Sequence, residues 1–223
     1  MNRTFAIGDI HGCNRTLRQL LFGVIKLRKE DTLYLLGDYI DRGRDSKGVI
    51  DTILELQNDG YDVRPILGNH EDMLLKTIYF RSFNDWLDNG GRETLKSYAI
   101  EYPEKICGEH LDFLWKLPHY RVTGTHVYVH AGLDFSLADP LRESSHDYML
   151  WERVVNAQSA RIAGRKLVTG HTVADLDEIK ESIHSNHIRL DNGCCYGDIF
   201  PGMGNLVALE VNSGELLVHK FLG

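Results

Sequence analysis

The chain has 223 residues, enough for one substantial domain with its own core. Its 25 basic and 32 acidic residues leave a net charge of −7, which argues against bulk attraction to nucleic acid or an anionic membrane and leaves room only for a local basic pocket. No apolar run approaches bilayer-spanning length, and Thr4-Phe5-Ala6-Ile7 leads into polar sequence without a signal-peptide pattern. Cys13, Cys107, Cys194 and Cys195 form no C-x-x-C pair and read as reduced thiols, so a cytoplasmic location is expected.

Residues 3–7 predict a buried strand. The helix after it is expected to be capped by Asn14 and to place Leu17, Leu20, Leu21, Val24 and Ile25 on one face. Residues 32–36 predict a second strand, and a helix capped by Ser46 follows with the stripe Val49, Ile50, Ile53, Leu54 and Leu56. A third strand is predicted at 63–67. This alternation over the first 70 residues means parallel strands joined by right-handed crossovers. Residues 71–117 read as a mostly helical insertion, interrupted at Asn89-Gly90-Gly91. Further strands are predicted at 126–129, 166–169, 178–183, 187–190, 205–211 and 215–221. The last two are joined by the hairpin turn Asn212-Ser213-Gly214 and are expected as antiparallel strands of a second layer. With no linker and no internal repeat, the expectation is a single mixed α/β domain over residues 1–223.

Chemistry concentrates where the early strands end. Three glycine-bounded motifs follow apolar runs: Gly8-Asp9-Ile10-His11-Gly12, Gly37-Asp38-Tyr39-Ile40-Asp41-Arg42-Gly43 and Gly68-Asn69-His70-Glu71. Asp9 and His11, two apart, share a face on an extended segment and could hold one cation together. Asp38 could bridge two cations, and Asn69 leaves the third strand end. His130 in Val129-His130-Ala131-Gly132 and His171 in Gly170-His171-Thr172 carry the same punctuation. These oxygen and nitrogen donors suit two divalent cations, which would lower the pKa of a shared water from 15.7 toward about 7. His70 is placed to protonate a leaving oxygen, and Asp41 to hold its ring protonated. Arg42 and Arg153 are the candidate forks for phosphoryl oxygens.

These motifs, with about 24 residues in each gap, resemble the phosphoprotein phosphatase superfamily of metallophosphoesterases. That family shows G-D-x-H-G, G-D-x-x-D-R-G and G-N-H-E in this order, then H-G/A-G and G-H, and the resemblance runs from Gly8 to His171. It implies a central β-sandwich flanked by helices and two metal ions, commonly manganese, with iron, zinc or nickel also compatible. It implies metal roles for Asp9, His11, Asp38, Asn69, His130 and His171. It further implies phosphate contacts from Arg42, Asn69 and Arg153, with His70 and Asp41 as the acid pair. The segment from Asn89 to Leu95 also resembles bacterial members. Ala131 stands where eukaryotic members usually have glycine, and their long C-terminal region is absent, so their regulatory subunits are not expected.

The favoured substrate is a phosphomonoester, above all phosphoserine or phosphothreonine on a protein, because Glu71 follows His70 where the dinucleotide-cleaving branch more often has Asp. The alternative is a dinucleoside polyphosphate hydrolase on the same fold. A non-catalytic phosphate-binding module is disfavoured, because no ligand or acid position is lost. Tyr196, after the turn cluster Asp191-Asn192-Gly193-Cys194-Cys195, is a candidate wall residue of the site.

Overall fold

The computed structural model describes residues 2–154 and 156–223. Two sheets face each other. The first has strand order β3-β2-β1-β8-β9, formed by β1 (Thr4–Ile7), β2 (Thr32–Leu35), β3 (Asp62–Pro65), β8 (Asn205–Glu210) and β9 (Glu215–Lys220). The second has order β4-β5-β6-β7, formed by β4 (Tyr120–Val122), β5 (His126–Val129), β6 (Lys166–Thr169) and β7 (His187–Arg189). The pleat explains the layering, because alternate side chains leave opposite faces of a strand. Ala6, Tyr34, Tyr128 and Val168 point between the sheets, where the rings of Tyr34 and Tyr128 stack 3.9 Å apart. Phe5, Ile7, Leu33 and Leu35 point the other way, into a core shared with the helices, and Val127, Val129 and Leu167 enter a third cluster behind the second sheet. Strands buried on both faces read as apolar runs, which makes them legible in the sequence.

The first half follows expectation: β1 pairs with β2 and β2 with β3, all parallel. The helices between them start differently. α1 (Asn14–Arg18) has no side-chain cap and continues as π-helix over Gln19–Ile25. Asn14 instead donates to Asp45 and accepts from Thr52, tying α1 to α2 (Ser46–Asn58). Leu17, Leu20, Leu21 and Ile25 are buried as expected, whereas the wider π-helical turn leaves Val24 at the surface. The cap of α2 is Asp45, accepting from the Gly48 N–H, so the Ser46 hydroxyl is free for the site.

The insertion is helical as expected: α3 (Asn69–Phe80), α4 (Asn84–Trp86), α5 (Arg92–Tyr98) and α6 (Gly108–Trp115), kinked at Gly90 with φ +111°. After β5 come α7 (Pro140–Glu143) and α8 (His146–Trp151). Two expectations are corrected. Residues 178–183 are not a strand but the body of α9 (Leu176–Ser182): Asp175 accepts from the N–H groups of Asp177 and Glu178, while Glu178 accepts from the Asp175 N–H. This reciprocal cap starts the helix, and Leu176, Ile179 and Ile183 have helical spacing. The C-terminal hairpin is antiparallel, but it extends the first sheet through β8 on β1 instead of building the second. The second layer is mostly parallel, with β5, β6 and β7 aligned and β4 as an antiparallel edge.

Candidate active site

The first sheet delivers three loops to one rim, after β1, β2 and β3, and the second delivers two, after β5 and β6. Their backbones are unusual. Among the described residues, the non-glycine positions with positive φ are His11, Asp38, Asp41, Arg42 and His171 in these loops, and Lys26, Arg81, Ala99 and Ala163 just past helix ends. Helix ends adopt this conformation routinely. Elsewhere it costs on the order of 1–3 kcal/mol per residue and persists where surrounding structure imposes it, typically at functional sites.

The imidazoles are oriented by main-chain carbonyls. His11 Nδ1 donates to Ile40 O (2.9 Å), His130 Nδ1 to Leu36 O (2.8 Å) and His171 Nε2 to Trp151 O (3.1 Å). Each ring therefore turns its other nitrogen, carrying a lone pair, into the site. His130 Nε2 lies 2.7 Å from Asn69 Oδ1 and 3.2 Å from His171 Nδ1, which is itself 3.1 Å from Asn69 Oδ1. Burial pushes all three imidazoles toward the neutral form, His171 down to about 4 with help from His130. Three lone-pair atoms thus converge with no proton to share among them, and a cation is what satisfies such a set.

Two groups of ligand atoms lie within 4.8 Å of one another, His11–Asp38–His70 and Asp38–His130–His171, with Asp38 common to both. Burial opposes ionisation of Asp38, but the imidazoles of His130, His70 and His11 overcome it and hold the carboxyl below its usual range. Asp9 stands outside both groups. His11 has φ +44°, so the segment is not extended there, and the Asp9 carboxylate accepts the His171 N–H (3.0 and 3.1 Å). Burial, then the neighbouring carboxylates of Asp191 and Asp38, push Asp9 up, and burial takes Asp191 up to about 6.

His70 Nδ1 donates to Asp41 Oδ2 (2.8 Å) and its Nε2 faces Asp38 at 4.0 Å. Burial alone would lower its pKa; the Asp38 carboxylate and the bond to Asp41 overcome this and raise it. Asp41 is fully buried and also accepts from Thr94 Oγ1 (2.6 Å) and Trp86 Nε1 (2.9 Å), while its N–H donates to Ser46 Oγ and Thr94 Oγ1. Arg42 brings Nη1 to 2.8 Å from His11 Nε2, and its N–H donates to Gly90 O. Arg153, exposed after α8, lines the same cleft of about 480 Å³ as Asp38, Arg42, Asn69, His70 and His171. His126 is turned away, bonded to Thr125.

The braces are not legible in the sequence. Trp86 and Thr94 hold Asp41 from the helical insertion. Glu71 accepts from the N–H groups of Asp38, Tyr39, Ile40 and Gly68 at 2.7–3.2 Å, fixing the second motif onto the third. That structural duty accounts for a carboxylate at this position whatever the substrate. Asp191 adds a carboxylate beside Asp9 that no motif announces, although the turn cluster before Tyr196 points to this part of the pocket.

A model of calcineurin-like phosphoesterases matches residues 3–197. The chain belongs to that family. As a calcineurin-like phosphoesterase it is a metallophosphoesterase, and the family implies divalent metal ions, which the histidine and aspartate groups are suited to hold. Over 129 residues it is 34% identical to a symmetrical bis(5′-nucleosyl)-tetraphosphatase of Nitrosospira multiformis, a match covering 58% of this chain and 43% of that protein. The chain thus spans about half the length of such relatives. A crystal structure provisionally assigned as a diadenosine tetraphosphatase superposes with a TM-score of 0.69 at 23% identity, covering 100% of this chain and 95% of that one. A protein serine/threonine phosphatase of Saccharomyces cerevisiae also superposes, at 0.64 and 16%, covering 100% and 80%. Likeness at such identities shows the fold alone. Among the described residues no helix is long and apolar enough to cross a membrane.

Proposed function

We propose that this metallophosphoesterase hydrolyses dinucleoside polyphosphates, cutting the phosphoanhydride chain at its centre. The supporting observation is that its 34% identity over 129 residues is to a symmetrical tetraphosphatase, whereas the protein phosphatase neighbour shares only the fold. This reverses the preference for phosphoserine and phosphothreonine drawn from Glu71, since the bonds of Glu71 to four backbone N–H groups give it a structural reason to be present.

Asp9, His11, Asp38, Asn69, His130 and His171 would hold two divalent ions, with manganese the favoured identity. Bound ions supply Lewis acidity toward the phosphoryl oxygens and acidify water. The chain's own groups do the rest. Arg42 and Arg153 bind and orient the non-bridging oxygens as guanidinium forks. Asn69 offers its amide to the same phosphate. His70, held by Asp41, donates a proton to the leaving oxygen and so limits the charge developing there.

The test is product analysis with manganese present. Diadenosine tetraphosphate should give ADP as the only nucleotide product, with kcat/KM at least tenfold above that for a phosphoserine peptide. ATP with AMP would exclude the central cut, and a preference for the phosphopeptide would restore the protein phosphatase reading.

A further inference from the structure

Two aromatic rings line the cleft, the exposed Trp151 and the half-buried Tyr196. Trp151 belongs to the His130–His171 end. Its carbonyl anchors His171, its ring stands edge-on to that imidazole at 6.3 Å, and it is 43% exposed. Tyr196 belongs to the other end. It lies in the field of the Arg42 guanidinium, and its ring is braced edge-on at 5.5 Å by Phe200, itself 48% exposed. Both aromatics line the cleft that contains Asp38.

Imidazoles, an arginine and an aromatic ring stand on either side of Asp38. One side has His11, Arg42 and Tyr196; the other has His171, Arg153 and Trp151. A single exposed aromatic is ordinary on a protein surface, whereas apolar area gathered at one cleft marks a contact surface. Here it borders a polar, phosphate-suited pocket, where a purely anionic substrate would have no use for it. A substrate whose phosphate chain carries a flat base at each end matches a cleft with two aromatic rings and two arginines. We infer that Trp151 and Tyr196 are stacking platforms for the two nucleobases, and that they set the preference for nucleoside-capped over bare polyphosphate. This deepens the proposed function and rests on it. Stacking on an aromatic side chain is tolerant of base identity and worth about tenfold in binding per base, so adenine and guanine should be accepted alike.

Diadenosine tetraphosphate and inorganic tetraphosphate have the same phosphate chain with and without bases. For each, kcat/KM is measured with manganese for the wild type, Trp151→Ala, Trp151→Phe and Tyr196→Ala. Each alanine variant should lower the ratio of the two values about tenfold, chiefly through KM for the dinucleotide, and Trp151→Phe should keep most of it. A ratio unchanged within twofold in both alanine variants overturns the platforms while leaving the hydrolase reading intact. Should the wild type not cut the dinucleotide at all, the hydrolase reading falls and equilibrium binding of ADP against pyrophosphate decides separately. Tighter binding of ADP that Trp151→Ala abolishes supports the platform; equal binding of the two by the wild type overturns it.

Discussion

Asp41 accepts hydrogen bonds from three donors, His70 Nδ1, Trp86 Nε1 and Thr94 Oγ1, with its carboxylate wholly out of solvent. An asparagine there offers one acceptor oxygen and an NH₂ that must face donors, so at least one of the three loses its partner. The His70 ring is then no longer held as a proton donor, and the carboxylate that helps raise its pKa is gone. We expect Asp41→Asn to lower kcat about a hundredfold, within the range usual for general acid catalysis. The alkaline limb of the pH–rate profile should move to lower pH, because a raised imidazole pKa keeps the ring protonated further up the scale and the neutral amide removes part of that rise. The leaving group sharpens the test. A terminal phosphate ionises near pH 6 and leaves with little help, whereas an alkoxide needs the proton. The loss should therefore be larger on an alkyl phosphate than on a dinucleoside polyphosphate, and equal losses would remove His70 as the donor.

The helical insertion acts on the site through its kink. Gly90, at φ +111°, accepts from the Arg42 N–H, and a Cβ there would come within 2.7 Å of that nitrogen. Gly90→Ala must therefore strain its own backbone and push Arg42 away from the cleft. Gly60, at φ +84°, has no atom within 4 Å of its would-be Cβ, so Gly60→Ala carries the strain alone. Gly60→Ala should lose on the order of 1 kcal/mol of stability and Gly90→Ala more, and only Gly90→Ala should raise KM, by about fivefold or more. Equal KM values would mean that the kink does not position Arg42. The sequence marks this kink as an interruption, because two adjacent glycines break helical spacing, but its contact with Arg42 is tertiary and leaves no local trace. The same division runs through the fold. Apolar runs and glycine punctuation make β1, β2, β3, β5 and β6 legible. The segment of α9 misleads because Ile179 and Ile183 fit a short strand as readily as a helix until the Asp175–Glu178 cap is seen. The sheet that β8 joins depends on remote pairing with β1. Site residues inside glycine-bounded motifs can be read; Ser46, Trp86, Thr94 and Asp191, which brace them, occupy ordinary helix or turn positions.

At the scale of the whole molecule, the site is where the two sheets are joined by charge as well as by the apolar layer between them. Asp9 and Asp38 leave the first sheet, His130 and His171 leave the second, and Asp191 follows β7. With no cation, three buried carboxylates oppose one another, and burial with mutual repulsion raises Asp9 and Asp191. A carboxyl with a folded pKa above its unfolded value of about 3.9 binds protons more tightly when folded. Its ionisation therefore destabilises the fold as pH rises through the interval, up to about 6 for Asp191. The metal-free protein should carry only part of this penalty at pH 5 and more of it at pH 7. A divalent ion that binds only the folded state adds about 2.7 kcal/mol at a hundredfold excess over its Kd, or roughly 5–10 °C in Tm for a chain of this size. Thermal unfolding with chelator and with manganese, at pH 5 and pH 7, tests both parts. The rise in Tm on adding manganese should be clear at pH 7 and markedly smaller at pH 5, where protons compete for the same oxygens. In an Asp38→Asn variant, which removes the carboxylate common to both groups, most of the rise should vanish. A Tm indifferent to manganese at pH 7 would show that these side chains, though gathered at one rim, do not grip an ion between the sheets.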